Sequence, residues 1–202
     1  MPFPDCRLYL LFTPELCAGD PWSTLVLALE GGVDAVQWRV KTQDREGFVR
    51  CRELCRARQV PLFVNDDVML AVRGQAEGAH VGQDDIPADA ARKLLVDRWL
   101  GVSTHNPAQI KAAAAAGADY LGFGPCYESA TKVHEAARSA ADIEAAVAEA
   151  ERLGLPLFAI GGITVDNLPA LRALGIDRIA VCSAILRSDR PREATAALRR
   201  WL

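Results

Sequence analysis

The chain has 202 residues, of which 50% are hydrophobic and 24% are charged. These fractions are ordinary for a globular protein, so they exclude wholesale disorder, and the length is enough to bury a full core. Lys and Arg total 23 against 26 for Asp and Glu, a formal net charge of -3, and no block of five or more basic residues occurs. We therefore expect no nucleic-acid partner, while a local positive site for a phosphorylated small molecule stays compatible with the sequence.

The sequence also lacks the features of membrane and secreted proteins. No apolar stretch approaches the roughly 18 residues of a membrane-spanning helix, and residues 1–12 show no cationic segment followed by a long apolar one. The six cysteines include no Cys-x-x-Cys pair, and we interpret them as reduced thiols that are mostly buried. Cys51 and Cys55, four residues apart on a predicted helix, leave a metal-ligand alternative open. We expect a cytoplasmic protein without a membrane partner, and a homo-oligomer is compatible with the sequence.

Short apolar runs alternate along the chain with segments of helical periodicity. The predicted strands cover residues 8–12, 35–38, 62–64, 78–81, 100–102, 120–123, 156–160 and 178–181. The predicted helices cover residues 21–30, 43–58, 66–73, 87–95, 106–116, 138–153, 165–173 and 191–201. Strict alternation of this kind predicts parallel strands joined by crossover helices.

Several helix ends carry residues that favour starting or stopping a helix. Asn106 followed by Pro107 predicts an N-cap with proline at the first helical position. Gly117 follows a run of alanines and suits the left-handed conformation just past a helix end, as do Gly154 and Gly175 after their helices. These signals support the predicted helix boundaries.

The number and size of the repeating units predict the fold class. Eight strand–helix units leave about 25 residues for each, which predicts a compact α/β protein, a (β/α)8 TIM barrel forming a single domain over residues 1–202. An open, doubly wound sheet is the alternative. The absence of a Gly-x-Gly-x-x-Gly turn after the first strand disfavours that alternative.

The second predicted strand leads into an alternating polar row. Gln37, Arg39 and Lys41 alternate with Trp38 and Val40. Because strand side chains alternate between faces, packing of the tryptophan and valine against helices directs the three polar residues into the barrel mouth. Two cations in that position predict an anionic ligand. A strand end that frays into solvent is the alternative interpretation.

Carboxylates follow the third and fourth predicted strands. Residues 65–67 read Asn-Asp-Asp, and residues 82–85 read Gly-Gln-Asp-Asp. Neighbouring strand ends can share one Mg²⁺, which takes one or two protein carboxylates and completes its shell with water and phosphate oxygens. One carboxylate of the first motif, Asp66 or Asp67, is expected to cap the next helix instead. Together the two motifs predict a metal–diphosphate site that faces the basic row.

The remaining strand ends carry hydroxyl groups and glycines. No third partner for a nucleophilic triad is evident, so Ser103 is predicted to bond a substrate and His105 to make a structural contact at a helix start. The long segment 122–132, with two hydroxyls and a lysine, predicts a loop that closes over a substrate, or else a solvent-exposed connection. Glycines in 161–163 and the small residues of 181–185 predict a phosphate cradle of backbone N–H groups.

In order and spacing, these motifs resemble the thiamine-phosphate synthase family over roughly residues 7–187. They are Gln37-x-Arg39-x-Lys41, Asn65-Asp66-Asp67, Gly82-Gln83-Asp84-Asp85, Gly101-Val102-Ser103, Gly124-Pro125, Thr131-Lys132, Gly161-Gly162-Ile163 and Ser183-Ala184-Ile185. Each motif alone is ordinary, whereas the ordered set is specific. The resemblance implies a transferase that joins 4-amino-2-methyl-5-(diphosphooxymethyl)pyrimidine, here the pyrimidine diphosphate, to a thiazole phosphate. Diphosphate is released and thiamine phosphate is formed.

The resemblance also implies roles for individual residues. Those implied for the pyrimidine diphosphate are Gln37, Arg39, Lys41, Asn65, Ser103 and Lys132. Those implied for the thiazole phosphate are Ser129, Thr131, Gly162, Cys182 and Ser183. The implied ligands of a Mg²⁺ cofactor are Asp66 and Asp85. Catalytic roles fall to Arg39, Lys41, Ser103 and Lys132, because such a reaction needs charge neutralisation and positioning more than covalent help.

Other functions stay open on the same fold. The related thiazole tautomerases aromatise the same thiazole, generally lack the metal carboxylates and carry a histidine where this chain has Pro125. The segment Tyr127-Glu128 is more similar to their loop, whereas the retained carboxylates favour the synthase. A non-catalytic ligand-binding barrel is a further alternative, as is an aldolase that forms a Schiff base through Lys41 or Lys132.

Overall fold

The computed structural model describes residues 3–42, 44–128 and 136–202. The strands are β1 (Leu8–Phe12), β2 (Ala35–Trp38), β3 (Leu62–Asn65), β4 (Gly78–Val81), β5 (Trp99–Thr104), β6 (Tyr120–Phe123), β7 (Leu157–Ile160) and β8 (Ile179–Val181). The helices are α1 (Pro21–Glu30), α2 (Arg45–Arg56), α3 (Val68–Arg73), α4 (Ala88–Leu95), α5 (Pro107–Ala115), α6 (Ala140–Leu153), α7 (Leu168–Ala173), α8 (Ser183–Leu186) and α9 (Pro191–Arg199). A 3-10 turn, Pro14–Leu16, follows β1.

The eight strands form one closed parallel barrel. Each strand pairs with the next along the chain, and β8 pairs with β1. Leu10 of β1, for example, lies beside Val36 of β2 on one side and Val181 of β8 on the other. Closure leaves no sheet edge exposed. The predicted (β/α)8 TIM barrel is therefore confirmed, and the open doubly wound sheet is wrong.

Side-chain alternation divides the apolar residues between two cores. Outward residues of the strands, such as Val36 and Trp38, pack against the surrounding helices. Inside the barrel, the aromatic rings of Tyr9, Phe63 and Tyr120 belong to a separate cluster with Phe158 and small neighbours. These rings fill the lower interior of the barrel, and among the described residues a cavity opens toward the carboxyl ends of the strands.

The residues predicted to start or end helices do so in the structure. Asn106 caps α5 by accepting a hydrogen bond from Gln109 N at 3.0 Å, and Pro107 is the first residue of that helix. Gly117, Gly154 and Gly175 all have positive φ, as the glycine signals predict. Local sequence therefore agrees with the observed ends of these helices.

All six cysteines lie within the described residues and are free thiols. Cys51 and Cys55 are fully buried on α2. Across residues 3–42, 44–128 and 136–202, no group of three or more His, Cys, Asp or Glu side chains could hold a metal ion. The pair therefore acts as small core residues. In the same ranges, no helix combines the length and apolar character needed to cross a membrane.

Candidate active site

A cavity of about 230 Å³ opens where the parallel strands end. Every strand contributes at least one residue to its wall, so the whole barrel positions this one site. This is the end of a (β/α)8 barrel at which loops can vary without disturbing the packed interior. We therefore expect the active site of the protein to lie in this cavity.

Most predicted site residues meet in this cavity. Those that line it are Gln37, Arg39, Asn65, Asp66, Asp85, Ser103, Gly162, Cys182 and Ser183. Lys41 is exposed and is not among the lining residues. Ser129, Thr131 and Lys132 lie outside the described residues, so their roles stay predictions.

The polar row after β2 points inward for two of its three members. Gln37 and Arg39 line the cavity, while Trp38 is buried in the outer core and Val40 packs against it. Arg39 N donates to Phe12 O at 3.0 Å, so the chain stays beside β1 for one residue beyond the end of β2. The inward alternation therefore ends at Arg39, which brings one cationic side chain to the cavity wall.

The two carboxylates that follow β3 have different tasks. Asp67 caps α3, because its Oδ1 accepts a hydrogen bond from Leu70 N at 2.7 Å. Asp66 lines the cavity with a left-handed backbone, φ 62, which is uncommon for a residue other than glycine. Its backbone N donates to His80 O at 2.8 Å, which ties the turn to β4. The predicted division between a capping and a cavity-facing carboxylate is confirmed.

Asp85 comes from the loop after the neighbouring strand, β4. Its Oδ2 accepts a hydrogen bond from Gly82 N at 2.7 Å, which orients the carboxylate at the cavity wall. Asp66 and Asp85 alone do not complete a protein-only metal site, in agreement with the lack of a three-residue cluster in the described ranges. Mg²⁺ commonly takes one or two carboxylates and fills its shell with water and phosphate oxygens. The donor set therefore fits Mg²⁺ bound together with a phosphorylated ligand.

The opposite wall is made by a glycine turn, Gly161 and Gly162, which follows β7. Both residues have positive φ, 99 and 63, a conformation that glycine adopts without strain. A Cβ on Gly161 would lie 2.6 Å from Pro125 Cβ, and one on Gly162 would lie 2.5 Å from Glu128 O. Tyr127 N donates to Gly161 O at 3.1 Å. Only glycines let the segment after β6 rest directly on this turn.

Asn167, which the sequence motifs do not identify, holds the glycine turn in place. Its Oδ1 accepts from Thr164 N at 2.8 Å, and its Nδ2 donates to Gly162 O at 2.9 Å. Tyr127 Oη donates to the backbone oxygen of Asn167 at 3.1 Å. The sequence feature that could have identified Asn167 is its place just before a helix with an early proline, a pattern typical of a helix N-cap. These bonds give the turn a fixed backbone surface.

Three buried polar residues inside the strands, Tyr9, His80 and Tyr120, have no predicted role at the site. Tyr9 and Tyr120 place their Oη atoms 3.0 Å apart, and Tyr120 Oη is 3.3 Å from His80 Nδ1. His80 Nε2 is 2.9 Å from Ser103 Oγ. Burial raises the pKa of both tyrosines above the ordinary value, so they stay protonated. The sequence feature that could have identified these residues is the alternation of side chains along each strand, which puts His80 on the same inward face as Gly78 and Gly82.

His105 and Cys182 have supporting places at the cavity wall. His105 Nδ1 donates to Gly124 O at 2.6 Å, and its backbone N donates to Gln109 Oε1 at 2.7 Å, which confirms the predicted contact at a helix start. Burial raises the pKa of the Cys182 thiol, so it is protonated at neutral pH. The histidine paired with Ser103 is therefore His80, and no thiolate nucleophile is present at Cys182.

Comparison with known proteins agrees with this geometry. Thiamine-phosphate synthase of Bacillus velezensis is 39% identical over 197 residues, which cover 93% of this chain and 86% of that protein. The enzyme of the same name from Geobacillus kaustophilus is 43% identical over 178 residues, covering 85% of this chain and 80% of its own length.

Solved structures show the same fold. Thiamine phosphate pyrophosphorylase from Pyrococcus furiosus matches with a TM-score of 0.85 and 28% identity, over 97% of this chain and 95% of its own. A 3-hexulose-6-phosphate synthase, at 16% identity and a TM-score of 0.71, shares the barrel alone. The family described as thiamine monophosphate synthase matches residues 8–185. The chain belongs to that family.

Proposed function

We propose that this chain is a Mg²⁺-dependent thiamine-phosphate synthase, a transferase that joins the pyrimidine diphosphate to the thiazole phosphate. The observation that carries the proposal is a single cavity with two unlike walls. One wall, the charged side, consists of Arg39, Asp66 and Asp85. The other, the backbone side, consists of the glycine turn and Ser183. Each wall suits one of the two phosphorylated substrates.

The reaction balances without an oxidant, a reductant or a covalent intermediate on the protein. The bond between the pyrimidinylmethyl carbon and the diphosphate oxygen breaks, and its electron pair leaves with diphosphate. The ring nitrogen of the thiazole phosphate supplies the pair that forms the new carbon–nitrogen bond. Positioning and electrostatic stabilisation are therefore the main requirements on the protein.

The charged side is suited to the departing diphosphate. Arg39 neutralises its growing charge through charge-assisted hydrogen bonds, while the amides of Gln37 and Asn65 orient the substrate. Asp66 and Asp85 would hold Mg²⁺, which as a Lewis acid stabilises negative charge on the diphosphate oxygens when bound. Further cationic charge is assigned to Lys41, which is exposed, and to Lys132, which lies outside the described residues.

The backbone side is suited to the phosphate of the second substrate. Gly162 and Ser183 line the cavity beside Cys182, with no acidic side chain from β7, β8 or their loops among the described lining residues. Ser129 and Thr131 are assigned to the same phosphate. Binding there holds the thiazole nitrogen close to the reacting carbon, which turns a bimolecular step into an intramolecular one.

The proposal keeps the expectations of a single domain and a cytoplasmic location. One closed barrel with one aromatic interior supports the first. Six free cysteines support the second, because reducing compartments keep thiols unpaired.

The test is a reaction of the purified chain with both substrates and Mg²⁺, followed by mass spectrometry. We expect thiamine phosphate and diphosphate in equal amounts, loss of both with EDTA, and recovery when excess Mg²⁺ is added. Aromatisation of the thiazole carboxylate tautomer without joined product would favour the tautomerase. Binding of both substrates without turnover would favour the ligand-binding barrel. A protein–substrate adduct trapped by borohydride would favour the Schiff-base aldolase.

A further inference from the structure

Five side chains from five strands form a continuous set of hydrogen bonds across the cavity floor. In order of contact they are Gln37, Tyr9, Tyr120, His80 and Ser103, here called the relay. The distances are 3.2 Å from Gln37 Nε2 to Tyr9 Oη, 3.0 Å between the two phenol oxygens, 3.3 Å from Tyr120 Oη to His80 Nδ1, and 2.9 Å from His80 Nε2 to Ser103 Oγ. Both ends of the relay line the cavity.

The orientation of the Gln37 amide gives the relay a direction. With Gln37 Nε2 donating to Tyr9 Oη, the proton of Tyr9 is available for Tyr120 Oη. In that direction Tyr120 Oη would donate to His80 Nδ1, and His80 Nε2–H would donate to Ser103 Oγ. The hydroxyl proton of Ser103 would then be available for a partner in the cavity.

We propose that the relay holds His80 in its Nε2–H tautomer and thereby makes Ser103 a hydrogen-bond donor to an anionic substrate oxygen rather than a nucleophile. This inference rests on the proposed function for the identity of that oxygen, which belongs to the diphosphate. His80 and Tyr120 are positioning residues that act through Ser103.

The opposite direction requires the Gln37 amide to turn over. A nucleophilic Ser103 would give its proton to His80 Nε2, and His80 Nδ1–H would then face Tyr120. Tyr120 would donate to Tyr9, and Tyr9 would need Gln37 Oε1 as its acceptor in place of the Nε2 that faces it in this structure. The two directions therefore differ in the His80 tautomer, which NMR of the imidazole distinguishes.

Two glycines make room for the relay. A Cβ on Gly101 of β5 would collide with the ring of Tyr120 and with His80 Nδ1. A Cβ on Gly122 of β6 would lie 3.2 Å from His80 Cε1. Glycine inside a strand often marks a close approach by another group, and here the groups are two members of the relay. The raised pKa of both buried tyrosines keeps each phenol proton available for its bond.

A double-mutant cycle tests whether Tyr120 acts through Ser103. Tyr120→Phe keeps the ring in the aromatic cluster but removes the hydroxyl that faces His80, so we expect kcat to fall by about tenfold or more, with lower stability but a folded barrel. In a Ser103→Ala background, adding Tyr120→Phe should cause no further loss. Additive losses would overturn the proposal. Tyr9→Phe provides a second variant if Tyr120→Phe does not fold.

A matched control removes a buried hydroxyl elsewhere. Thr195 on α9 is fully buried, and its Oγ1 donates to Pro191 O at 2.7 Å, away from the cavity lining. Thr195→Val keeps the side-chain shape and should leave kcat unchanged. A similar fall in kcat for this variant and for Tyr120→Phe would assign the effect to general loss of a buried hydrogen bond and overturn the proposal.

The tautomer can be measured without any activity assay. Long-range proton–nitrogen NMR of the ligand-free protein, labelled with ¹⁵N-histidine, distinguishes a protonated ring nitrogen from one with a lone pair, and His80→Gln identifies the signals. We expect the proton on Nε2 and a changed pattern in Tyr120→Phe. A proton on Nδ1, or on both nitrogens, would overturn the inference even if the synthase reaction is found. The expected tautomer without synthase activity would instead reject the proposed function alone.

Discussion

The two walls of the cavity offer different chemical groups to a phosphorylated ligand. On the charged side, after β2, β3 and β4, side chains supply the charges: Arg39, Asp66 and Asp85. On the backbone side, after β7 and β8, the described lining residues include no Asp, Glu, Lys, Arg or His, and the surface comes from the glycine turn and Ser183.

Because of this difference, different kinds of substitution should impair ligand binding at each wall. A charged side chain can be replaced by a neutral one of equal size, which removes its chemistry while the packing around it stays intact. Backbone groups cannot be neutralised in that way, because their position depends on turn geometry and on the segment packed against them. The charged side is therefore sensitive to charge, and the backbone side is sensitive to shape.

The largest expected effect comes from neutralising a carboxylate on the charged side. Asp85→Asn keeps an oxygen that can accept from Gly82 N but loses the negative charge offered to Mg²⁺. A metal's stabilisation of transition-state charge is worth several kcal/mol, so we expect turnover to fall by more than about 100-fold. Steady-state rates over a Mg²⁺ titration, with thermal unfolding alongside, provide the measurement.

The control for Asp85→Asn is the same substitution at the adjacent carboxylate, Asp84. Asp84 is exposed and does not line the cavity, so Asp84→Asn removes the same charge from the same loop and should change the rate by less than about twofold. Equal losses in the two variants would attribute the effect to the overall charge of the loop. Full activity in Asp85→Asn would remove Asp85 from the metal site.

A smaller effect on the same side comes from Arg39→Ala. Loss of one charge-assisted hydrogen bond costs roughly 1.5–3 kcal/mol, so kcat/KM for the pyrimidine diphosphate should fall by about 10-fold to 150-fold. KM for the thiazole phosphate should not change. Lys41→Ala, at an exposed residue, should have a weaker and salt-sensitive effect. A rise in both KM values for Arg39→Ala would contradict the division of the cavity into two walls.

The fold could be predicted because its signals are local. Alternating apolar runs, caps such as Asn106 and glycines past helix ends act within a few residues. Two strands were predicted too short at their carboxyl ends, because the residues there carry no apolar signal. Asn65 pairs with His80 as part of β3, and Ser103 and Thr104 pair with residues of β6 as part of β5. Pairing with a neighbouring strand, which composition does not reveal, extends both strands.

The site could be predicted where its polar residues lie at a strand end or just beyond it. Arg39, Asp66 and Asp85 are polar at positions where an apolar run ends, and the structure brings all three to the cavity. Tyr9 and Tyr120 instead lie inside apolar strands and are typical of core residues there. Only closure of the barrel brings their hydroxyls together, from positions 111 residues apart in the chain.

On the backbone side, Gly162→Ala tests sensitivity to shape. The new Cβ would lie 2.5 Å from Glu128 O, so the turn or the segment on it must move. Movement of the turn should weaken a hydrogen bond to the phosphate rather than remove it. A loss of about 0.5–1.5 kcal/mol would raise KM for the thiazole phosphate by about 2-fold to 12-fold. KM for the pyrimidine diphosphate should stay constant.

Gly154→Ala separates backbone strain from displacement of the turn. Gly154 has a similar φ, 68 against 63 for Gly162, but no atom lies within 4 Å of its would-be Cβ. The substitution should lower stability by about 1 kcal/mol and leave both KM values unchanged. An equal rise in KM for this variant would show that strain alone, transmitted through the fold, explains the Gly162 result.

The smallest expected effect is that of Cys182→Ser on the backbone side. Burial raises the pKa of the thiol, so at neutral pH it is a small neutral group that serine can replace, and the rate should change by less than about twofold. Alkylation of the wild-type thiol should be slow at pH 7 and accelerate as pH rises, because only the thiolate reacts. Mass spectrometry of the modified peptide checks this. A large loss of activity in Cys182→Ser would mean that the backbone side also depends on a particular side chain, and the contrast between the two walls would no longer hold.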